Sequence, residues 1–216
     1  MAANITLTNI VGNGNRGYFA AVRNNCSWQS TTITPEDGAR YSVKITPTSS
    51  GEVTLTSSNY PMYASHKYYL SFKVRFETSV NTTFDWYWPV AEPAAVSGLR
   101  VNPAANTWTR VSAVFDRTSF SDGSYPCRFD YNNEGNVAVW FTSCMLVDLT
   151  ASFGAGKEPS KEWMDKHVTA FADSQKVQYI ENLDELFAGI SSAIQTKSGQ
   201  SGKIFACDFI DKILAL

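Results

Sequence analysis

Residues 68–77, YYLSFKVRFE, alternate strictly. Leu70, Phe72, Val74 and Phe76 fall on one side, and Ser71, Lys73, Arg75 and Glu77 on the other. A period of two marks a strand with one buried and one wet face. The alternation recurs in ARYSVKI, where Tyr41, Val43 and Ile45 oppose Arg40, Ser42 and Lys44. It recurs again in WTRVSAVFD (Val111, Ala113, Phe115) and in NVAVWF, where Val137, Val139 and Phe141 oppose Ala138 and Trp140. Turn-forming clusters separate these runs: TPEDGA, TPTSSG, SDGSYP and NNEGN. Short strands with one polar face, closed by turns at this spacing, predict an antiparallel β-sandwich over residues 1–150. No strand–helix alternation occurs there, which argues against the parallel sheet of a nucleotide-binding fold.

Beyond residue 150 the pattern changes. FGAGKEP turns the chain, and Ser160 is placed to cap a helix from Lys161 to about Ala172. Residues 151–172 therefore read as a turn and short helix closing the sandwich. Val177, Ile180, Leu183, Leu186, Ile190 and Ile194 then recur at intervals of three and four. That spacing predicts one apolar stripe on a helix of roughly five turns. A tail of residues 173–216 is too small to bury the stripe by itself, so the stripe is expected to lie on the sandwich or on another copy of the chain, the second being favoured because a parallel bundle would use it.

The Gly-Ala-Gly-Lys sequence within that junction invites comparison with a phosphate loop, and the spacing excludes it. A P-loop requires glycine where Ala151 stands and a hydroxyl where Glu158 stands, and Glu158 would repel phosphate. The glycines are expected to serve backbone geometry instead. Eighteen Lys and Arg against twenty Asp and Glu give a net charge of −2, without the basic stripe that nucleic-acid binding needs. No apolar run reaches membrane-spanning length, and MAANITLTNI lacks a charged segment followed by an apolar one. Neither membrane insertion nor signal-directed export is therefore expected. Cys26, Cys127, Cys144 and Cys207 are widely spaced with no CxxC pair, and are read as reduced thiols, a Cys127–Cys144 bridge being the alternative.

Nucleophilic catalysis finds no support. His66 and His167 are far apart in sequence, and no GxSxG elbow occurs. Asp85, Glu77, Asp116 and Asp130 are the carboxylates from which a glycoside-cleaving pair would have to come. The aromatics carry a stronger signal. In TTFDWYWPVAEP, Phe84, Trp86 and Trp88 point one way, as core, while Asp85 and Tyr87 point the other. With Lys73 and Arg75 on a strand expected alongside, that polar face would offer a ring to stack on a sugar and charged groups to bind its hydroxyls. Arg128 and Trp140 are outer candidates for the same surface.

The runs YYLSFKVRF, DWYWPVAEP, WTRVSAVF, RFD and above all MLVDLTASFGAGKEPSKEW carry a resemblance. They resemble a domain that recurs in structural proteins of tailed bacteriophages, in tail fibres, baseplate-associated proteins and other appendages. That domain is similar to the jelly-roll sandwich of carbohydrate-binding modules, and the match covers about residues 1–172. Lys157 departs from the small polar residue that is frequent at its position. The resemblance implies a non-enzymatic virion protein, made in the host cytoplasm and assembled as a homo-oligomer, most often a trimer. It implies contact with other virion proteins and with a host surface glycan, and no required cofactor. A structural calcium near the last strand is implied for related modules, with Asp148 as the one candidate ligand here. Three readings follow in order: virion structural subunit, glycan-binding module, glycan hydrolase.

Overall fold

A computed structural model describes residues 4–11, 22–34, 39, 41–49, 51–90, 93–133, 137–168 and 177–181. The strands in chain order are β1 (Asn4–Thr8), β2 (Val22–Asn24), β3 (Cys26–Thr31), β4 (Ser42–Pro47), β5 (Gly51–Met62) and β6 (Lys67–Phe76). They continue with β7 (Thr82–Tyr87), β8 (Val96–Val101), β9 (Thr109–Asp116), β10 (Gly123–Asn133) and β11 (Val139–Asp148). Helices α1 (Leu149–Phe153) and α2 (Lys161–His167) follow, and then strand β12 (Val177–Glu181). Two five-stranded sheets, ordered β2-β5-β10-β7-β8 and β3-β4-β11-β6-β9, form an antiparallel jelly-roll β-sandwich. Strands that follow one another in sequence mostly join opposite sheets, as β6 and β7 do.

The alternation reads directly into the core. Leu70, Phe72, Val74 and Phe76 are buried, as are Phe84, Trp86 and Trp88, and the positions Val111, Ala113 and Phe115. Rings from the two sheets meet edge to face. Phe72 lies 5.0 Å from Phe129 at 88°, and Phe141 lies 4.9 Å from Phe129 at 89°. This geometry sets positive ring edges against negative ring faces and adds about 0.5–1.5 kcal/mol per pair beyond burial. Cys26, Cys127 and Cys144 are free thiols, so the alternative bridge is not formed. Burial pushes the Cys127 thiol well up.

Strand β11 departs from alternation, being buried on both faces from Val139 to Val147. Its register shifts between Thr142 and Met145, and Ser143 adopts φ 53°. Such a bulge leaves ladder groups unpaired. The buried Asn9 amide fills the gap: Nδ2 donates to the Cys144 carbonyl and Oδ1 accepts from the Leu146 N–H, each at 2.9 Å.

The junction after β11 is built from two caps and two glycines. Asp148 Oδ1 accepts from the Ala151 N–H at 2.8 Å and caps α1. Gly154 and Gly156 take φ 93° and 75°, a region that only glycine enters without steric cost, and the Lys157 N–H closes the turn on the Gly154 carbonyl at 3.0 Å. Glu158 accepts from Thr150 Oγ1 at 2.7 Å, and that bond holds its carboxyl below the usual range. Ser160 caps α2 as its sequence predicts.

Helix α2 ends at His167, short of the expected Ala172. Val168 is buried and extended, and its carbonyl accepts from the Arg110 guanidinium. The expected long helix also does not begin at Val177. Val177 and Ile180 lie on β12, which pairs with β1. Five residues rich in β-branched and aromatic side chains satisfy either period, and a partner strand decides between them. Leu183, Leu186, Ile190 and Ile194 lie outside the described residues. The chain divides into two compact units, residues 7–178 and residues 1–6 with 179–216.

Candidate functional site

The polar residues expected to share one face are on two. Asp85 and Tyr87 lie on β7 in the first sheet, whereas Lys73 and Arg75 lie on β6 in the second. The connection from β6 to β7 crosses the sandwich, so their outward residues face opposite ways. Alternation identifies which residues of a strand share a side, but does not say which sheet the strand joins.

On the second sheet, Trp140 sits opposite Lys44 and Arg75. Lys44 Nζ lies 4.8 Å and Arg75 Cζ 4.7 Å from the ring centroid, and the indole is 5% exposed. Arg75 is further held by Asn106, donating to its carbonyl at 3.2 Å and to Oδ1 at 2.6 Å. Two cations over an indole this deeply buried leave it no open face, so Trp140 works as a packed outer layer rather than as a stacking platform, whereas Tyr87 is only half-buried. Lys73 is half-buried between Thr142 and Arg110 on the neighbouring strands.

The outer face of the first sheet is the better-formed site. Register places Arg128 opposite Tyr87 and Thr56, and Asp130 opposite Asp85 and Thr54. The Arg128 guanidinium carbon lies 3.8 Å from the Tyr87 ring centroid, and Nε lies 2.9 Å from Asp130 Oδ2. The ion pair is off the line of a well-directed hydrogen bond, and both Asp130 oxygens are shielded from solvent. Burial, with a further push from neighbouring Glu52, raises the Asp130 pKa to about 6 against the pull of Arg128. Asp85 holds the neighbouring edge strand in place. Its Oδ1 accepts from the Gly98 N–H at 2.7 Å, where β8 shifts register and Gly98 takes φ 66°. The result is a rigid arginine–tyrosine stack bordered by carboxylates and threonines.

Glu52 and Thr54 belong to this face and are missing from the sequence-based candidates. Their signal is the alternation in GEVTLT, which buries Val53 and Leu55 and turns Glu52, Thr54 and Thr56 outward. Of the carboxylates considered for hydrolysis, only Asp85 and Asp130 come together. Glu77 lies beyond β6 and Asp116 ends β9, both tied to the second sheet. Asp148 has both oxygens engaged, Oδ1 in its cap and Oδ2 with His66 Nδ1 at 2.7 Å. Among the described residues no three or more His, Cys, Asp or Glu side chains gather to hold a metal ion.

No family model matches the chain, and no curated protein matches it in sequence. Solved structures do. An arabinose-bound α-L-arabinofuranosidase matches 67% of this chain at 15% identity with a TM-score of 0.50, over 26% of its own length. A carbohydrate-binding module of Cellvibrio mixtus lichenase 5A, solved with cellotriose, matches 68% of this chain at 14% identity with a TM-score of 0.41, over 98% of its own length. The enzymatically active domain of bacteriophage CBA120 tailspike protein 4 matches 64% at 14% identity with a TM-score of 0.46, over 21% of its length. The chain thus spans about a quarter of the arabinofuranosidase and a fifth of the tailspike domain. At these identities the likeness is one of fold.

Proposed function

We propose that this chain is a non-catalytic module that binds neutral glycan through the outer face of its first sheet. The observation that carries the reading is the Tyr87–Arg128 stack, held at 3.8 Å and flanked by Asp85, Glu52 and Thr54. A sugar offers apolar C–H faces and hydroxyls that both donate and accept. An immobilised ring, a guanidinium and nearby carboxylates answer each of those groups, and their rigidity lowers the ordering cost of binding. Catalysis by the Asp85–Asp130 pair is disfavoured by position: the Asp130 oxygens are buried beneath their neighbours, out of reach of a glycosidic oxygen. Cellotriose and β-1,4-galactotriose, the sugars with which two solved binding modules are described, serve as first probes. Titrating both into the chain by isothermal calorimetry tests the reading. Tyr87→Ala should weaken binding by roughly three- to tenfold, the worth of one aromatic contact. Absence of heat with every neutral oligosaccharide tried would sink it.

The second reading, a subunit of a phage virion, rests on the junction sequence LVDLTASFGAGKEPSKEW. Its residues form a doubly capped, glycine-closed connection between the last sandwich strand and α2. On this reading the chain assembles in the host cytoplasm as a homo-oligomer, a trimer being favoured, and docks on other virion proteins through its C-terminal segment. The mass of the native assembly by light scattering separates the two: a monomer at all concentrations counts against the virion subunit and leaves the glycan module standing.

A further inference from the structure

The sandwich has an open seam where β8, the outermost strand of the first sheet, runs beside β9, the outermost strand of the second. A cleft of about 290 Å³ opens there, lined by residues 98–101 of β8, residues 110–112 of β9 and Lys161 of α2. Its floor is apolar: Val101 and Val111 are buried, and Leu99 packs on the core. Its rim is cationic, with Arg100, Arg110 and Lys161 all lining it. As edge strands, β8 and β9 also present backbone N–H and C=O groups outside their sheet ladders.

The rim cations are held in place. Arg110 Nε donates to Ser71 Oγ at 2.9 Å and Nη1 donates to the Asp165 carbonyl at 2.8 Å, while Nη2 reaches the Tyr69 hydroxyl and the Val168 carbonyl. Lys161 Nζ donates to Asp165 Oδ2 at 2.6 Å. Asp165 therefore serves two cations with one charge. Arg100 is exposed, and its Nη1 donates to the neutral Asn81 Oδ1 at 2.8 Å. Among the described residues Asp85, bonded to the Gly98 N–H, also borders this seam. Three cations against Asp165 and Asp85 leave the cleft positive, which favours a ligand of negative charge.

We infer that the β8–β9 cleft binds a carboxylate-bearing sugar unit, a uronic-acid residue of an acidic glycan. The volume sits at the lower end of ligand sites, which run from about 300 Å³ upward, and so suits a single ring. The apolar floor faces the C–H side of that ring, the edge-strand backbone takes its hydroxyls, and Arg100 with Lys161 takes the carboxylate. This rests on the glycan-binding reading, but at the sheet edge, away from the Tyr87–Arg128 stack.

The test is an amide-resolved NMR titration of the full chain with trigalacturonate, its methyl ester, galactotriose and citrate. Trigalacturonate should shift amides of residues 98–101 and 110–112, with affinity falling as salt rises and at least about tenfold weaker for the ester. Arg100→Glu should weaken the acid by a similar factor and leave thermal unfolding unchanged, while Tyr87→Ala should not affect it. Equal affinity for acid and ester, or an Arg100→Glu variant that binds normally, overturns the inference. Citrate shifting the cleft amides while trigalacturonate does not overturns the sugar assignment. Galactotriose bound at Tyr87 with trigalacturonate inert sinks the cleft and spares the face; trigalacturonate bound at the cleft with galactotriose inert does the reverse.

Discussion

Replacing Asp130 by Asn removes a buried charge whose cost depends on pH, and that dependence can be measured. Asp130 is 2% exposed, and burial raises its pKa from 3.8 to about 6 in the folded chain, with Glu52 adding to the rise. A carboxyl whose folded pKa lies above its unfolded value is favoured in its protonated form by folding. Its contribution is full below about pH 3.8 and is lost as pH rises through about 6. Each pKa unit corresponds to 1.36 kcal/mol, so ionised Asp130 costs the fold about 3 kcal/mol at neutral pH. Asp130→Asn keeps the shape and discards the charge. Urea unfolding of variant and wild type at about pH 4 and about pH 7.5 should show the variant gaining by that amount, relative to wild type, between the two conditions. Parallel stabilities at both pH values would refute the reasoning, since they would mean the carboxyl is solvated or fully compensated by Arg128.

Asn9→Ala should cost about 2–4 kcal/mol in chemical denaturation, because it strands the Cys144 carbonyl and the Leu146 N–H in the β11 bulge; a loss below about 1 kcal/mol would mean the bulge is satisfied another way. Asp165→Ala removes the carboxylate that Arg110 and Lys161 share and the acceptor of the Tyr69 and Ser112 hydroxyls, and should destabilise by about 1–2 kcal/mol, with faster amide exchange across α2. Although partial burial works against it, bonds from Lys161, Tyr69 and Ser112 and the charge of Arg110 hold the Asp165 carboxyl below the usual range. Its contribution is therefore present above about pH 3.8 and lost as pH falls further, so wild-type stability should fall on the acid side, where the gain from protonating Asp130 is already complete. Gly154→Ala meets open space but keeps φ 93°, so it should cost about 1–2 kcal/mol by backbone strain alone, read as a lower thermal midpoint.

Local chemistry was legible along the chain wherever one residue's neighbours decide its role. Alternation placed Phe72, Phe84, Trp86 and Phe115 in the core, since a strand has two sides and water takes one. Ser160 announced a helix start, and Ala151 with Glu158 excluded a phosphate loop. Gly154 and Gly156 announced a turn, because only glycine takes their backbone angles without cost.

Tertiary structure alone decided which faces exist. Lys73 and Asp85 each point outward from strands close in sequence, yet the crossing from β6 to β7 sends them to opposite sides. Trp140 reads as an outward aromatic, but Lys44 and Arg75 from neighbouring strands cover it. Only the packing of α2 shows Arg110 gathering Tyr69, Asp165 and Val168. Val177 and Ile180 fit a helical stripe and a strand equally well until β1 supplies a ladder. The physical reason is common to all four. Side-chain direction follows from local backbone geometry, which sequence period reports, whereas strand partners and covering elements are chosen by long-range pairing, on which the period is silent.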